Sequence, residues 1–319
     1  MQKISYIILC FFILYFSRGS ADSNFGYINY HSYNIGDDIQ AIAAKRFLPE
    51  NSIGIDREFI GVFTNKAKVN TIVNGWYMHT KKYAWYRKDV PAPEKSWPPS
   101  PFIKPIFIAI HFTKDFIPEA FTQEGINYLK EHSPVGARDY QTLKELQKRN
   151  IPSYFSGCLT LTLENTCSRR DDIIYAVDID EECVQFIRSK TKYKVEVLTH
   201  IINEKMSLND KARLQYTEET LEKYKRAKCV ITTRLHASMP CLALKTPVLL
   251  IDSQNDPRFD GLRELTRHCS KKELINKRVD FNFDDPPENP KLYIPIRENL
   301  IKTLSEWVSG ILQSNESRG

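Results

Sequence analysis

Residues 228–252, KCVITTRLHASMPCLALKTPVLLID, constrain the fold more than any other stretch. Residues 229–233 form a short β-branched run, 234–244 carry helical apolar spacing, and 248–251 are a second buried-strand run behind Pro247. A βαβ unit of this kind needs a parallel sheet covered on both faces, so the rest of the chain must supply strands and helices in alternation. The carboxyl end of its first strand meets the amino end of its helix, where unpaired N–H groups and the helix dipole favour an anion. Arg234 and His236 stand at that turn.

The alternation is present. Residues 25–31 read as a strand, and Ser32 to Asp38 lead into a helix over about 38–47 that Asp37 or Asp38 is placed to cap. Strand-like runs follow at 53–55, 59–63, 69–73 and 106–111, then helical spacing over 118–131, a short strand at 134–137 and a helix over 140–149. Arg138 therefore sits at a second strand-to-helix junction. From 151 the rhythm restarts, with strands in 154–163, 173–177 and 195–201, helices over 181–190 and 207–227, the βαβ unit, and a helix over 256–267. The expected architecture is α/β: two Rossmann-like domains, 22–150 and 151–290, facing a cleft, then a terminal helix and polar tail over 291–319.

Residues 1–21 belong to no fold. Lys3, the apolar run 4–16 and Gly19-Ser20-Ala21 read as a cleavable secretory signal, too short for a bilayer span of about 20 residues. An uncleaved signal anchor is the other reading. Cleavage removes Lys3 and Arg18 and no acid, so the formal charge falls from +6 to +4. That mild balance gives no reason to expect a nucleic-acid partner. The expected location is the secretory pathway, a Golgi-like lumen or the exterior, with no stable membrane span after cleavage. Six cysteines remain, of which Cys158 and Cys167 are the only close pair and the first expected bridge. No CxxC, HxxxH or HExxH spacing occurs, so no metal site is expected. Asn315-Glu316-Ser317 is a glycosylation sequon.

Residues 75–105 read as an insertion holding three of the four tryptophans, Trp76, Trp85 and Trp97, with Tyr77, His79, Tyr83 and Tyr86. Beside Lys81, Lys82, Arg87 and Lys88, these aromatic faces suit stacking on a sugar, and Trp76 is the first candidate. His111, at a predicted strand end, and His132 are further candidates.

Three segments resemble one family. Asn34-Ile35-Gly36-Asp37-Asp38-Ile39-Gln40 looks like the N-x-GD-x-x-Q start of polysaccharide pyruvyl transferases, Gly136-Ala137-Arg138-Asp139 their G-x-R-D segment, and Thr233-Arg234-Leu235-His236 their S/T-R-L-H segment. The resemblance implies a fold similar to GT-B glycosyltransferases with the site between domains, acceptor side first and donor side second. It also implies transfer of pyruvyl from phosphoenolpyruvate to two hydroxyls of a glycan acceptor, without a cofactor. By the same resemblance Arg138, Arg234 and His236 carry the catalysis. Leu235, Asn34, Gly36, Asp37, Trp76 and His111 complete the substrate-binding set. Two guanidinium groups match the two anionic ends of that donor, and His236 is either general acid or phosphate ligand. The alternatives are a GT-B enzyme using a nucleotide sugar and a secreted carbohydrate-binding protein without catalysis.

Overall fold

The computed structural model describes residues 24–77, 90–167, 169–252 and 256–317. The signal segment, His79, the aromatic and basic residues at 81–88, and the side chains of Asn315 and Glu316 in the sequon lie outside the described residues. Among the described residues two parallel sheets form. The first contains β1 (Phe25–Asn29), β2 (Ile53–Asp56), β3 (Val69–Tyr77), β4 (Ile103–Phe112), β5 (Val135–Ala137) and β6 (Ser153–Phe155), in the order β2-β1-β3-β4-β5-β6. The second contains β7 (Ile173–Val177), β8 (Lys194–Leu198), β9 (Cys229–Thr232), β10 (Val248–Ile251) and β11 (Arg267–Cys269), in the order β11-β10-β9-β7-β8. The buried apolar runs of β4, β9 and β10 are what a parallel sheet covered on both faces demands.

Helices α1 (Ile35–Lys45), α2 (Ile117–Ala120), α3 (Gln123–Glu131) and α4 (Tyr140–Gln147) accompany the first sheet. Helices α5 (Glu181–Arg188), α6 (Glu204–Ser207), α7 (Asp210–Arg226), α8 (Leu235–Ala243) and α9 (Lys271–Ile275) accompany the second. The last helix, α10 (Ile294–Glu316), returns to the first unit, where Trp307 packs edge-on against Phe25. Two Rossmann-like units therefore face one cleft. Their chain order reverses between β1 and β3 in one sheet and between β7 and β9 in the other, and ligands of open α/β sheets bind at such switch points.

One core is shared. Ile39 and Ala43 of α1, Ile72 and Ile108 of the first sheet, and Ala237 and Cys241 of α8 bury each other with Leu159 and Leu161. Each of the isoleucines and leucines contributes roughly 1.5–3 kcal/mol on full burial, so the units are fused along this layer and the cleft above it is set by packing. Backbone bonds from Ile35 N to the His200 carbonyl (2.9 Å) and from Ile202 N to the Tyr33 carbonyl (2.9 Å) close the same seam. Beneath them Asp38 accepts from Arg213 Nε at 2.9 Å, a fully buried ion pair between the units. Burial pushes the Asp38 carboxyl up to about 6 against the opposing pull of Arg213.

Several expectations need correction. Helix α1 starts at Ile35 and is capped by Asn34, whose Oδ1 accepts from Gly36 N at 2.9 Å, so neither Asp37 nor Asp38 caps it. Residues 59–63 hold no strand, because the 3-10 turn Arg57–Phe59 with Asp56 as its cap occupies that junction. Strand β6 completes the first sheet, so the chain passes to the second unit after 155 rather than at 150, and Leu159–Thr162 is a 3-10 turn. Thr122 caps a new helix inside 118–131, splitting it into α2 and α3. The helix expected over 207–227 begins afresh at Asp210, capped by Asn209. Residues 256–267 form two 3-10 turns and lead into the unexpected edge strand β11. Cys158 and Cys167 are free thiols: Cys158 is buried against Thr160 Oγ1 at 3.1 Å, and Cys167 is exposed.

Candidate functional site

A cavity of about 220 Å³ opens where the two switch points meet. Asn34, Asp37, Trp76 and Arg138 line it from the first unit. His200, Thr233, Arg234, Leu235, His236, Arg258 and Phe259 line it from the second.

The first wall rests on α1 and the ends of β3 and β5. Arg138 follows β5 and is 1% exposed, yet no carboxylate pairs with it among the described residues. Its one side-chain bond runs from Nη1 to Gln40 Oε1 at 3.4 Å, and its Nε has no hydrogen-bond partner. A buried guanidinium without a counter-charge is costly, which marks the place of an anion. Gln40 continues the network, its Nε2 donating to Asp37 Oδ1 at 3.2 Å. The Trp76 indole donates to the same oxygen at 3.0 Å. Trp76 reaches this position because β3 does not end at Val73. A bulge between Val73 and Gly75 extends the strand, with Gly75 at φ +92°, where an added Cβ would strike the Tyr30 hydroxyl.

The second wall is built on a carboxylate that the sequence did not advertise. Asp178, just past β7 at φ +51°, accepts Arg234 Nε at 2.8 Å and His200 N at 3.0 Å on one oxygen, and Thr199 Oγ1 at 2.6 Å on the other. Burial raises its carboxyl, and the bonds from Thr199, His200 and Arg234 outweigh that and hold it below the usual carboxylate range. The pair uses only Nε of Arg234, so both terminal Nη groups remain for a ligand. Arg258 is held in turn by Asp256, at 3.0 and 2.8 Å from Nε, and its guanidinium lies 5.5 Å from the Trp76 ring centroid across the cleft.

Two imidazoles complete this wall. His236, in the first turn of α8, is half-buried and its Nε2 is buried without a hydrogen-bond partner. Burial drives its pKa well below the ordinary value, and Arg138, His200, Arg258 and Arg234 add to the shift, so it is neutral at pH 7. His200 is fully buried, with Nε2 2.8 Å from the Tyr224 hydroxyl and Nδ1 unpartnered. Burial lowers its pKa to about 4. Arg138 Nε, His236 Nε2, His200 Nδ1 and Asp37 Oδ2 are four buried polar atoms without a hydrogen bond on residues around one cavity, a pattern that suits a polar ligand.

Of the residues expected at a site, Arg138, Arg234, His236, Leu235, Asn34, Asp37 and Trp76 all line the cavity. Gly36 and His111 do not. At Gly36 an added Cβ would stand 3.1 Å from His236 Cβ and Nδ1, so the glycine lets α1 approach that histidine. His111 in β4 is the register partner of Trp76 in β3 and is buried with Nδ1 2.5 Å from Asp139 Oδ2. Its pKa is lowered by burial, which the Asp139 bond opposes. His132 packs on Tyr128, at the amino end of the first sheet. Trp97 is a core residue between Tyr77 and Phe112, bonded to the Ala120 carbonyl. His200, Arg258, Phe259 and the support Asp178 were missed, and Thr233 was read only as the first residue of the Thr233-Arg234-Leu235-His236 segment. For Asp178 the strand end at 173–177 offered a local signal.

Among the described residues no group of three or more His, Cys, Asp or Glu side chains is placed to hold a metal, and no helix is long and apolar enough to cross a membrane. The family model described as polysaccharide pyruvyl transferase matches residues 34–255, more than half of the chain. No curated protein matches it in sequence. Among solved structures, the wall teichoic acid polymerase TagF is similar at 8% identity and a TM-score of 0.35, over 93% of this chain and 90% of that one.

Proposed function

The chain belongs to the polysaccharide pyruvyl transferase family, and from that premise we propose that it transfers pyruvyl from phosphoenolpyruvate to two hydroxyls of a glycan sugar. The products are a pyruvate ketal and phosphate. The observation that carries this reading is the uncompensated charge of Arg138, buried in the wall opposite Arg234. Phosphoenolpyruvate has a carboxylate at one end and a phosphate at the other, and two guanidinium groups from two walls bind such a donor at both ends. Arg258 adds a third cation beside them.

Donor binding also sets the state of His236. In the empty cleft, burial and the surrounding arginines keep it neutral. A bound anion opposes those cations and favours the imidazolium, which then protonates the methylene carbon as one sugar hydroxyl bonds to the neighbouring carbon. The bond from that carbon to the phosphate oxygen breaks, and the second hydroxyl closes the ketal. Of the two hydroxyl protons, one ends in the new methyl group and the other leaves with phosphate. No cofactor is assigned, and the apolar segment at residues 4–16 supports action on glycans in a secretory lumen or outside the cell.

The test is mass spectrometry of galactose- and mannose-containing acceptors incubated with the protein and phosphoenolpyruvate, beside a thermal-shift panel. A ketal-sized mass increase, with stabilisation by phosphoenolpyruvate, is expected. Stabilisation by nucleotide sugars alone, without that product, overturns the reading in favour of a glycosyltransferase.

A further inference from the structure

We propose that Asp37 is the base that takes the proton from the attacking sugar hydroxyl, and that Trp76 holds it for that task. The inference rests on the pyruvyl-transfer reading and adds the acceptor half of the site. Ketal formation needs an acceptor for the hydroxyl proton on the side away from the cationic donor pocket. Among the described residues Asp37 is the only carboxylate that lines the cavity.

Its two oxygens are treated differently by the fold. Oδ1 is fixed by the Trp76 indole at 3.0 Å and by Gln40 Nε2 at 3.2 Å. Oδ2 is buried and makes no hydrogen bond, its one charge partner being Arg57 Nη1 in an ion pair at 3.7 Å, longer than a hydrogen bond. A carboxylate oxygen held only by a long ion pair keeps its negative charge and has a hydrogen bond still to accept, which is what a substrate hydroxyl needs. The arrangement also ties base to donor site. Gln40 joins Asp37 to Arg138, and the Trp76 ring meets Arg258, so the carboxylate is oriented by the groups that surround the donor. Arg57 from the turn after β2 and Arg138 through Gln40 are the cations nearest to it on its own wall. His200, His236 and Arg234 face it from the other unit.

The step balances without a further reactant. The first hydroxyl oxygen bonds to the central donor carbon and its proton passes to Asp37, while the methylene carbon takes a proton from His236. The bond from the central carbon to the phosphate oxygen then breaks and phosphate leaves with the proton from Asp37. The second hydroxyl closes the ketal, and its proton restores the imidazolium of His236.

Asp37→Asn keeps the shape and leaves an oxygen for the indole while removing the base. It is expected to lower kcat for ketal formation by roughly 10²- to 10⁴-fold while calorimetric affinity for phosphoenolpyruvate stays unchanged. Trp76→Phe keeps the carboxylate but leaves Oδ1 held by Gln40 alone, and is expected to lower kcat roughly tenfold, again without loss of donor affinity. Wild-type turnover by Asp37→Asn, or a parallel fall in turnover and donor affinity, overturns the assignment. If Asp37→Asn does not fold, wild-type turnover by Trp76→Phe overturns it. A wild-type protein that neither binds phosphoenolpyruvate nor forms ketal brings down the proposed function itself, and this inference with it.

Discussion

The two walls of the cleft hold their arginines in opposite ways. On the second wall Arg234 is paired with Asp178 and Arg258 with Asp256, so each cation arrives oriented and partly neutralised. On the first wall Arg138 is buried deeper than either, has only an amide oxygen at 3.4 Å, and keeps an orphaned Nε. A paired arginine positions a ligand at small cost to the empty protein. An unpaired buried one destabilises the empty protein and gains most when an anion enters. Affinity should therefore reside mainly in Arg138 and orientation mainly in Arg234.

Replacing Arg138 is the strongest way to break this contrast. Arg138→Met removes the charge and keeps much of the volume. Loss of two charge-assisted bonds should cost phosphoenolpyruvate binding about 4 kcal/mol, roughly a thousandfold in affinity. The same variant should make the empty protein more stable, by about 1–3 kcal/mol, because no anion is present to compensate the charge it deletes. Calorimetric titration and denaturant melts of the ligand-free protein read the two effects separately. A ligand-free variant less stable than wild type would mean that the charge is already compensated and the contrast between the walls is wrong.

Acid sharpens the comparison, because both imidazoles on the cavity belong to the second wall. Unfolded His200 takes a proton near pH 6.5, whereas the folded residue resists until about 4. Below 6.5 protons therefore favour the unfolded chain, and stability present above that pH is lost as it falls toward 4, by about 3 kcal/mol for a fully buried group. Asp38 acts in the opposite sense. Its folded carboxyl takes a proton at about 6 and the unfolded one near 3.8, so acidification over that window favours the fold. In the wild type Asp38 therefore offsets part of the His200 contribution. The His200 contribution appears in the difference between wild type and His200→Phe, which share Asp38. Denaturant melts between pH 7 and 4.5 should show the variant losing less stability on acidification, and parallel curves would refute the assignment.

What the sequence made legible was local. Asn34 to Gln40, Arg138 and Arg234 to His236 each stand at a strand-to-helix junction, and the spacing of apolar residues is enough to locate such junctions. Their convergence was also legible in kind, since switch points of open α/β sheets gather strand ends. The supports were not. Asp38 meets Arg213 across 175 positions and Arg234 meets Asp178 across 56, and no periodicity encodes either pairing. Trp76 was read as part of the aromatic, basic and proline-rich insertion that starts at Gly75. In the fold that glycine is a bulge that keeps the strand running and turns the indole to Asp37. Arg258 was read on a helix, where the chain instead makes a 3-10 turn capped by Asp256, and so its place on the cavity was missed. The cysteine pairing failed for a related reason: nearness in sequence says nothing when Cys158 enters the shared core and Cys167 the surface.

The gentlest test concerns Asp178, which on this account positions Arg234 and contacts no ligand. Asp178→Asn retains the shape and can keep the bonds from His200 N and Arg234 Nε on its one amide oxygen, with its NH2 donating to Thr199 Oγ1 instead of accepting from it, but it removes the charge that holds Arg234. Arg234 is about a third exposed, so solvent screens the pair and the loss should be near 1 kcal/mol, about a fivefold rise in KM for phosphoenolpyruvate. Arg138→Met should leave almost no binding to measure, while Asp178→Asn should leave an enzyme that saturates later and turns over at a nearly normal rate. If Asp178→Asn instead abolishes binding, Arg234 supplies affinity as well as orientation, and the two walls differ less than their ion pairs imply.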